Sequence, residues 1–405
     1  MTSRVLNRIV ATTDVHSSFA AADPMLSHLH AARRDSLIVD CGDFFEGTGY
    51  YRLGRGEIER AILTGLYDAI APGNHGWSHH FEPALHRLTV CANAVDASSG
   101  RRLFRSLHIA VIGGQRIGVT AVIGQQAFSA IPIGQRASHR TTDPVAALRE
   151  VMLAHHDEVD TWVLLSHSGF SEDLTLAAAC PFLDVIFSGH CHSPQYGPVH
   201  VGDTTVLKGP ELGAGYALAR REGSAWSCHS ASFPLTALSD FPATLTPARD
   251  KITEAHRRLS SRLGTVAAPY RNRLADRREL LTDLAVRLRG GLGADAIVLN
   301  ETALRPAPLG EHLSLGDLVA IEPFGNQLVH AHVPAAHQDA PESLLAYLAE
   351  RAGPLVAAPG PLPRHLTTVL TTDYLANSYL GGRTHQAGLR LGQALQHLLT
   401  EGDER

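Results

Sequence analysis

The stretch Ser36-Leu37-Ile38-Val39-Asp40-Cys41-Gly42-Asp43 predicts a short buried strand that ends in a glycine and a carboxylate. Four other segments follow the same plan, with polar, metal-binding side chains at the point where a predicted strand ends. They are Asp14-Val15-His16, Gly73-Asn74-His75, His167 and Gly189-His190-Cys191-His192. Because ligands gather at the carboxyl ends of strands in open α/β sheets, we expect these side chains to share one pocket.

The spacing within the segments suits a pair of metal ions. Asp14 and His16 are two residues apart and point to one side of an extended chain, and His190 and His192 repeat this spacing. Asp43 carries a carboxylate that can bridge two cations. Single matches of this kind arise often by chance, but the ordered set of two aspartates, one asparagine and four histidines is specific. Oxygen and imidazole ligands for two divalent cations indicate hydrolysis of a phosphate ester.

Composition places the chain among ordinary globular proteins. It has 405 residues, of which 44% are apolar and 19% charged, so it is long enough for two domains. The net charge of −5 gives no sign of general binding to nucleic acid or to anionic membranes. No Gly-Lys pair and no Gly-x-Ser-x-Gly occurs, which excludes a Walker-type phosphate loop and argues against a serine hydrolase.

Cysteine usage favours a reducing compartment. The five cysteines show no paired spacing, which fits free thiols better than a disulfide framework. The first residues lack the apolar core of a secretory signal, and no stretch approaches the ~18 apolar residues that span a membrane. We therefore expect a cytoplasmic protein with no membrane partner.

Hydrophobic patterning predicts two α/β regions joined by a linker. Apolar runs alternate with amphipathic stretches over residues 1–235, which is typical of layered α/β structure. Residues 236–270 are rich in proline, serine, threonine and arginine, and we interpret them as a linker with a helix from about Asp250 to Arg262. A second α/β domain follows in residues 271–405, within which residues 353–364 are predicted to form a loop.

The ordered pattern Asp-x-His, Gly-Asp, Gly-Asn-His, His and Gly-His-x-His resembles that of the calcineurin-like metallophosphoesterase superfamily, over about residues 8–235. The resemblance implies an α/β fold, namely a four-layer metallophosphoesterase sandwich of two mixed sheets flanked by helices. It also implies two divalent ions (zinc, manganese or iron) whose bridging hydroxide would attack phosphorus in line. Metal 1 would be held by Asp14, His16, Asp43 and His192, and metal 2 by Asp43, Asn74, His167 and His190.

The same resemblance implies catalytic roles for His75 and Asn74. His75 would stabilise the transition state or protonate the leaving oxygen. In 5'-nucleotidases of this superfamily, an acidic residue usually stands three positions after this histidine and orients its ring, but here the position is Ser78. Either Glu82 or a nearby histidine takes over, or the acid role is weakened.

Four residues of the second domain are candidates for binding a nucleoside. Phe324 and Tyr374 could stack on the two faces of a base, while Asn300 and Arg305 could hydrogen-bond its edge or the ribose. Their order and spacing resemble the smaller α/β C-terminal substrate domain of bacterial and animal 5'-nucleotidases. Taken without the resemblance, the same residues can be interpreted as a strand end, a turn and a core aromatic.

Two further departures from the 5'-nucleotidase pattern concern this domain. The family's Gly-Gly-Asp segment is replaced by residues 378–383 (Ser-Tyr-Leu-Gly-Gly-Arg), so we expect recognition of the base or ribose to differ. About fifty residues separate Phe324 from Tyr374, fewer than the family generally has. We therefore expect residues 271–405 to form a trimmed 5'-nucleotidase-like domain.

The leading hypothesis is a two-metal-dependent phosphoric ester hydrolase that removes phosphate from a nucleotide or nucleotide-like metabolite, with a role in nucleotide catabolism. One alternative is a phosphodiesterase that acts on cyclic nucleotides or other diesters. An alternative of another class is a catalytically weakened protein that binds metal and nucleotide, which the serine at position 78 motivates. The complete set of seven inferred metal ligands favours catalysis over binding.

Overall fold

The computed structural model describes residues 4–223, 225–235, 243–292 and 294–400. The chain forms two compact units, and the division between them falls between Ala255 and His256. The predicted linker, residues 236–270, is split by this division, and its residues 236–242 lie outside the described residues. Its predicted helix spans Thr246–Leu259, four residues earlier than expected at its start.

The N-terminal unit contains two large sheets. Its strands are β1 Arg8–Thr12, β2 Ser36–Asp40, β3 Ala69–Ile70, β4 Ala94–Asp96, β5 His108–Ile112, β6 Gln115–Ile123, β7 His139–Thr141, β8 Thr161–His167, β9 Val185–Ser188, β10 Val199–Val201, β11 Thr204–Leu207, β12 Gly215–Glu222 and β13 Ala225–Ser232. One sheet has the order β13-β12-β1-β2-β3, and the other has the order β10-β11-β9-β8-β6-β5. Both are mixed, with a parallel centre: β1 to β3 in the first, and β6, β8, β9 and β11 in the second.

Helices flank this pair of sheets. They are α1 Ala22–Ala32, α2 Gly49–Gly54, α3 Glu57–Leu66, α4 Pro83–His86, α5 Gln125–Ala130, α6 Ile133–Arg136, α7 Pro144–His155, α8 Phe170–Ala179 and α9 Thr246–Leu259, the last of which crosses the division. Shorter 3-10 turns cover Trp77–Phe81 and Ala243–Leu245.

Strand alternation explains how the layers pack. Ile9 and Leu37 lie in the hydrophobic cluster between the two sheets, together with Val163 and Phe187 of the second sheet. Because side chains alternate across a strand, Val10 points to the opposite face of β1, where it is fully buried. The outer face of the second sheet packs against α7 and α8 through a separate cluster. The predicted four-layer sandwich is confirmed.

The C-terminal unit is a smaller α/β structure. Its strands are β14 Arg262–Thr265, β15 Arg273–Leu274, β16 Ile297–Asn300, β17 Pro308–Leu309, β18 His312–Ser314, β19 Gln327–His332, β20 Leu355–Ala358, β21 Thr368–Thr372 and β22 Thr384–Arg390. Its helices are α10 Arg277–Leu292, α11 Leu315–Ile321, α12 Pro341–Ala352, α13 Asp373–Tyr379 and α14 Leu391–Leu399, with 3-10 turns at Ala268–Tyr270, Glu301–Ala303 and Ala335–His337.

A five-stranded sheet of order β20-β16-β21-β19-β22 forms the centre of this unit. Both of its faces are covered, because Ile297 and Leu299 belong to one hydrophobic cluster while Ala296 and Val298 belong to another. One prediction here is wrong: residues 353–364 are not a continuous loop, since β20 pairs with β16 along four residues. The proline and glycine content that predicted a loop is concentrated just before and after this short strand.

All five cysteines are free thiols, three of them buried and two partly exposed. Among the residues that the structure describes, no helix combines the length and the apolar composition needed to cross a membrane.

Candidate functional site

The predicted metal ligands lie at the carboxyl ends of strands in both sheets of the N-terminal unit. Asp14 and His16 follow β1, Asp43 follows β2, and Asn74 follows β3. His167 is the last residue of β8, and the segment with His190 and His192 follows β9. The parallel direction of these strands is therefore what brings distant parts of the sequence to one place.

One group of three potential ligands consists of Asp14, His16 and His192, whose ligand atoms lie within 4.8 Å of one another. His192 Nε2 lies 3.6 Å from Asp14 Oδ1, and His16 Nε2 lies 3.9 Å from the same oxygen. The two imidazole nitrogens are 3.2 Å apart. Nitrogen and oxygen atoms that converge in this way suit a divalent transition metal.

A second group consists of Asp43, His167 and His190. His167 Nε2 lies 3.3 Å from Asp43 Oδ2 and 3.2 Å from the side-chain oxygen of Asn74. The other ring nitrogen of His167 lies 2.8 Å from the carbonyl oxygen of Cys41, to which it donates. That hydrogen bond keeps a proton on Nδ1, so a bound cation would take the place of the proton on Nε2.

Asp43 stands between the two groups. Its Oδ2 is 3.8 Å from His16 Nε2 and 3.3 Å from His167 Nε2, while its Oδ1 accepts a hydrogen bond from the backbone nitrogen of His75. This placement is what a bridging carboxylate requires. The structure thus brings together all seven residues that the sequence nominated as metal ligands.

Burial makes this cluster electrostatically costly without a cation. Asp14 and His167 have no exposed surface, and Asp43 is only 3% exposed. Burial alone would raise the pKa of the Asp43 carboxyl, but His167, His75 and His16 lower it below its usual range. Burial lowers the pKa of His167, yet Asp43 and Asp14 raise it to about 9. Buried carboxylates that only histidines neutralise are a fit for divalent cations.

Backbone conformation also marks the ligand positions as special. Asp14, His16, Asp43 and His190 all have positive φ, between 48° and 74°, which is uncommon for residues other than glycine. Such strain clusters at functional sites, where the surrounding structure enforces it. At Gly42, with φ of 101°, a Cβ atom would stand 2.6 Å from the ring of His167, so only glycine fits there.

The candidate acid His75 has a partner that the sequence analysis missed. Its Nδ1 lies 3.0 Å from Oε2 of Glu46, which is in the loop after β2 and only three residues after Asp43. Burial lowers the pKa of His75, but the hydrogen bond to Glu46 and the charge of Asp43 raise it, and the net shift is upward. This carboxylate belongs to the segment Gly-Asp-Phe-Phe-Glu, residues 42–46. The sequence did not indicate the contact, because 29 residues separate Glu46 from His75.

In the C-terminal unit, the four predicted substrate residues line one cavity of about 440 Å³. Asn300 ends β16, Arg305 and Phe324 lie in loops, and Tyr374 lies in the first turn of α13. The guanidinium carbon of Arg305 is 5.5 Å from the centre of the Phe324 ring, within range of a cation–π contact. Thr302, Ala303 and Asn326 complete the lining.

The alternative interpretation of these residues as a strand end, a turn and a core aromatic fails for the aromatic, because neither ring is buried. Phe324 is 54% exposed and Tyr374 is 46% exposed, although large aromatic rings are usually well buried. The hydroxyl of Tyr374 lies 3.2 Å from that of Tyr379, which in turn donates to the carbonyl oxygen of Arg351. Two half-exposed rings at one cavity are better suited to binding a planar ligand than to packing a core.

Residues 7–194 match the sequence model of the calcineurin-like phosphoesterase family. This range includes both groups of potential ligands, the bridging position of Asp43, and His75 with its partner. The chain carries a calcineurin-like phosphoesterase domain.

The chain is also similar to other proteins over part of its sequence. The chain is 30% identical to an apyrase of Aedes albopictus over 179 residues, which are 40% of this chain and 31% of the apyrase. It is 26% identical to a snake venom 5'-nucleotidase of Crotalus adamanteus over 200 residues, which are 45% of this chain and 33% of that protein. The aligned region spans about a third of the length of these relatives.

Similarity of fold extends beyond the phosphoesterase domain. The crystal structure of a 5'-nucleotidase precursor from Thermus thermophilus superimposes with a TM-score of 0.69 and 19% identity. The match covers 98% of this chain and 97% of that protein, so it includes both units. The chain therefore has the fold of the two-domain 5'-nucleotidases.

Within the phosphoesterase domain, the role of Ser78 can now be assessed. Ser78 is exposed in the 3-10 turn that follows His75, and Glu82 does not replace it as partner of that histidine. Glu82 Oε1 instead lies 2.6 Å from His79 Nδ1 and 3.1 Å from Nη1 of Arg60. The carboxylate that contacts the ring of His75 is that of Glu46, which is none of the alternatives that the sequence left open.

Proposed function

We propose that the chain is a metal-dependent phosphoric ester hydrolase that removes phosphate from a nucleotide or a nucleotide-like metabolite. The observation that carries the proposal is the position of Asp43 between two groups of buried metal-binding side chains in a calcineurin-like phosphoesterase domain. In this proposal Asp14, His16, Asp43 and His192 hold one divalent ion, and Asp43, Asn74, His167 and His190 hold the other. Zinc, manganese and iron all suit such a mixed set of ligands.

The protein's own residues would prepare the site for this chemistry. Two bound cations supply Lewis acidity that neutralises phosphate charge and activates water. His167 is held in one tautomer by the carbonyl oxygen of Cys41, which fixes the direction of its other nitrogen. Asp14 is held by the backbone nitrogen of His190, so the ends of β1 and β9 are tied together. Two of the seven proposed ligands, His167 and Asp14, are therefore held by backbone groups of the protein itself.

His75 is the proposed proton donor. Glu46 and Asp43 raise the pKa of its ring, which favours the protonated form that a general acid needs. Since Nδ1 donates to Glu46, the proton on Nε2 remains available for a leaving oxygen or for the charge that develops on a phosphate group. The alternative of a protein that only binds metal and nucleotide was motivated by the missing acid at position 78. Because Glu46 supplies a carboxylate to His75, its contact supports catalysis instead.

The cavity of the C-terminal unit supports a nucleotide as the substrate class. Phe324 and Tyr374 offer exposed ring faces on which a base can stack, and Arg305 offers hydrogen-bond donors beside them. The names of the relatives, an apyrase and a 5'-nucleotidase, agree with this class. We also propose a cytoplasmic location and a role in nucleotide catabolism; the five free thiols suit a reducing compartment.

Phosphate release is the decisive experiment. The purified protein is incubated with nucleoside monophosphates, cyclic nucleotides and an aryl phosphate, each with manganese, with zinc and with chelator. Metal-dependent release from the monophosphates is the expected result. Opening of a cyclic nucleotide yields a nucleoside monophosphate and releases no phosphate, so that conversion is followed by chromatography. Conversion of the cyclic diesters alone would establish the phosphodiesterase alternative. No release from any substrate, with two metals bound per chain, would favour the metal- and nucleotide-binding alternative.

A further inference from the structure

Lys208 is an unusual residue in this chain. It is one of only two lysines, and its side chain has no exposed surface. It follows β11, and its Nζ donates to the carbonyl oxygens of Cys191 at 2.6 Å and Ser193 at 2.7 Å, and to the carboxylate of Glu211. An ammonium group has three donors, and all three are used here.

The two carbonyl groups that Lys208 binds lie directly before and after His192. They belong to the irregular segment between β9 and β10, which begins with a turn in which Cys191 N donates to Gly189 O. The side chain of His192 is itself half-exposed, and so draws little support from packing. Lys208 therefore fixes the backbone on both sides of a proposed metal ligand whose own ring is loosely packed.

Lys208 can act as a fixed point because its own backbone is held in place. Its nitrogen donates to the carbonyl oxygen of Tyr196 at 2.8 Å, and its carbonyl oxygen accepts from the hydroxyl of Ser230 at 2.6 Å. Nζ also lies 5.2 Å from the centre of the Tyr196 ring. These contacts tie the lysine to β13 and to the far end of the segment that carries His192.

The residues just after Lys208 reach the other side of the same ligand group. The backbone nitrogen of Leu212 donates to the carbonyl oxygen of Asp14 at 2.9 Å, and Leu212 adopts a positive φ of 56° to do so. Segment 208–212 thus contacts the chain at Asp14 and at both neighbours of His192. The side chains of Asp14 and His192 are themselves 3.6 Å apart.

Two ligands of the second group have different supports, whereas the third, His190, precedes Cys191 in the segment that Lys208 holds. His167 is held by the carbonyl oxygen of Cys41, and Asp43 is held by the backbone nitrogen of His75. Neither of these contacts involves segment 208–212. A disturbance at Lys208 should accordingly act on one group more than on the other.

We propose that Lys208, neutralised by Glu211, is a positioning residue that holds His192 against Asp14 and thereby sets the metal affinity of the Asp14, His16 and His192 group. This inference rests on the proposed two-metal function. Partners that orient a metal ligand commonly contribute about 10-fold to 100-fold in affinity. The competing view is that Lys208 stabilises the fold and has no preference for either ligand group.

Site-selective metal binding distinguishes the two views. Metal-free wild type, Lys208→Met and Lys251→Met are titrated with Mn²⁺ and with Zn²⁺ by calorimetry, and metal content is measured after dialysis. Lys251 is the matched control, because it is the other lysine, is exposed on α9, and pairs with Glu57 of α3. We expect Lys208→Met to weaken one of two sites about 10-fold to 100-fold and Lys251→Met to change neither.

A double-mutant comparison identifies the weakened site. In a His190→Ala background, which disables the second group, Lys208→Met should weaken the remaining ion; in a His192→Ala background it should add little. Unchanged affinities, or equal weakening of both sites, would overturn the inference. A wild type that binds fewer than two ions would instead refute the two-metal centre itself, so the two failures are distinguishable.

A second variant covers the case in which Lys208→Met does not fold. Lys208→Gln removes the charge but keeps an amide that can donate to one of the carbonyl groups. It should fold and show a smaller, still selective, loss of affinity at the same site. Wild-type affinity at both sites in Lys208→Gln would contradict the proposal as clearly as the same result in Lys208→Met.

Discussion

Glu46 Oε2 lies 3.0 Å from Nδ1 of His75, although 29 residues separate them in sequence. Asp43, in the same loop as Glu46, accepts a hydrogen bond from the backbone nitrogen of His75. One loop therefore holds the histidine at both its backbone and its ring. This coupling gives Glu46 a role that can be separated experimentally from the role of the metal ligands.

Glu46→Gln should slow turnover without removing metal. The amide keeps the shape of the side chain but loses the charge that raises the pKa of His75. We expect kcat to fall roughly 10-fold to 100-fold. Because the protonated ring is the active form, a lower pKa moves the alkaline loss of activity to lower pH. Rate profiles from pH 5 to 10 and metal analysis measure both effects.

Ser78→Ala is the matched control for that experiment. Ser78 is exposed and occupies the position that an acid usually fills in 5'-nucleotidases. The variant should behave as wild type. If Ser78→Ala reduces kcat as much as Glu46→Gln does, the assignment of Glu46 as the partner of His75 is incorrect.

His75→Ala should keep both metals and lower kcat by roughly 100-fold or more, as expected for loss of a general acid. His79→Ala is a useful comparison, since His79 is a nearby histidine that pairs with Glu82 and not with Glu46. Metal content and rates are measured on each purified variant. Wild-type turnover in His75→Ala would show that the ring takes no part in the reaction.

The sequence predicted the site well where local pattern was sufficient. Strand ends and the two-residue spacings predicted that all seven candidate ligands lie together, because parallel strands bring their carboxyl ends together. Glu46 was missed because the orienting acid was sought only after His75, whereas loop conformation supplies it from an earlier segment. The strand at Leu355–Ala358 was missed for a different reason: its neighbours are prolines and glycines, and its pairing with β16 is a tertiary contact that composition does not reveal.

Asp43→Asn tests the proposed bridge. The substitution turns the carboxylate into a neutral amide and so removes the charge that faces both His16 and His167. We expect loss of metal from both groups and a fall in activity of at least about 100-fold. The check is metal content after dialysis together with phosphate release. Retention of two ions per chain at wild-type rate would rule out Asp43 as a shared ligand.

Phe324→Ala tests the cavity of the C-terminal unit. Stacking of a base on an aromatic ring is worth roughly 1–3 kcal/mol, so KM for a nucleoside monophosphate should rise roughly 5-fold to 100-fold. An aryl phosphate that does not use the cavity provides the internal control and should be hydrolysed at the wild-type rate. Equal effects on both substrates would mean that Phe324 acts on the fold and not on the base.

Asp40→Asn should alter how stability depends on pH. Asp40 is fully buried and accepts hydrogen bonds from the Thr12 hydroxyl at 2.6 Å and the Gly42 nitrogen at 2.9 Å. Burial raises the pKa of its carboxyl to about 8, against about 4 in an unfolded chain. Between pH 4 and pH 8, therefore, the Asp40 carboxyl is protonated in the folded protein and ionised in the unfolded chain. This contribution to stability is complete below pH 4 and is lost as pH rises through 8.

An asparagine cannot titrate, so the variant should lack this dependence. Urea unfolding of metal-free protein at pH 5, 6, 7 and 8 measures it, and the difference between wild type and Asp40→Asn removes the contributions of all other groups. We expect the free energy of unfolding of wild type to fall relative to the variant by on the order of 1–5 kcal/mol across this range. Asp157→Asn, at a highly exposed carboxyl, should run parallel to wild type. Parallel curves for Asp40→Asn and wild type would mean that Asp40 is already ionised in the folded protein at pH 5.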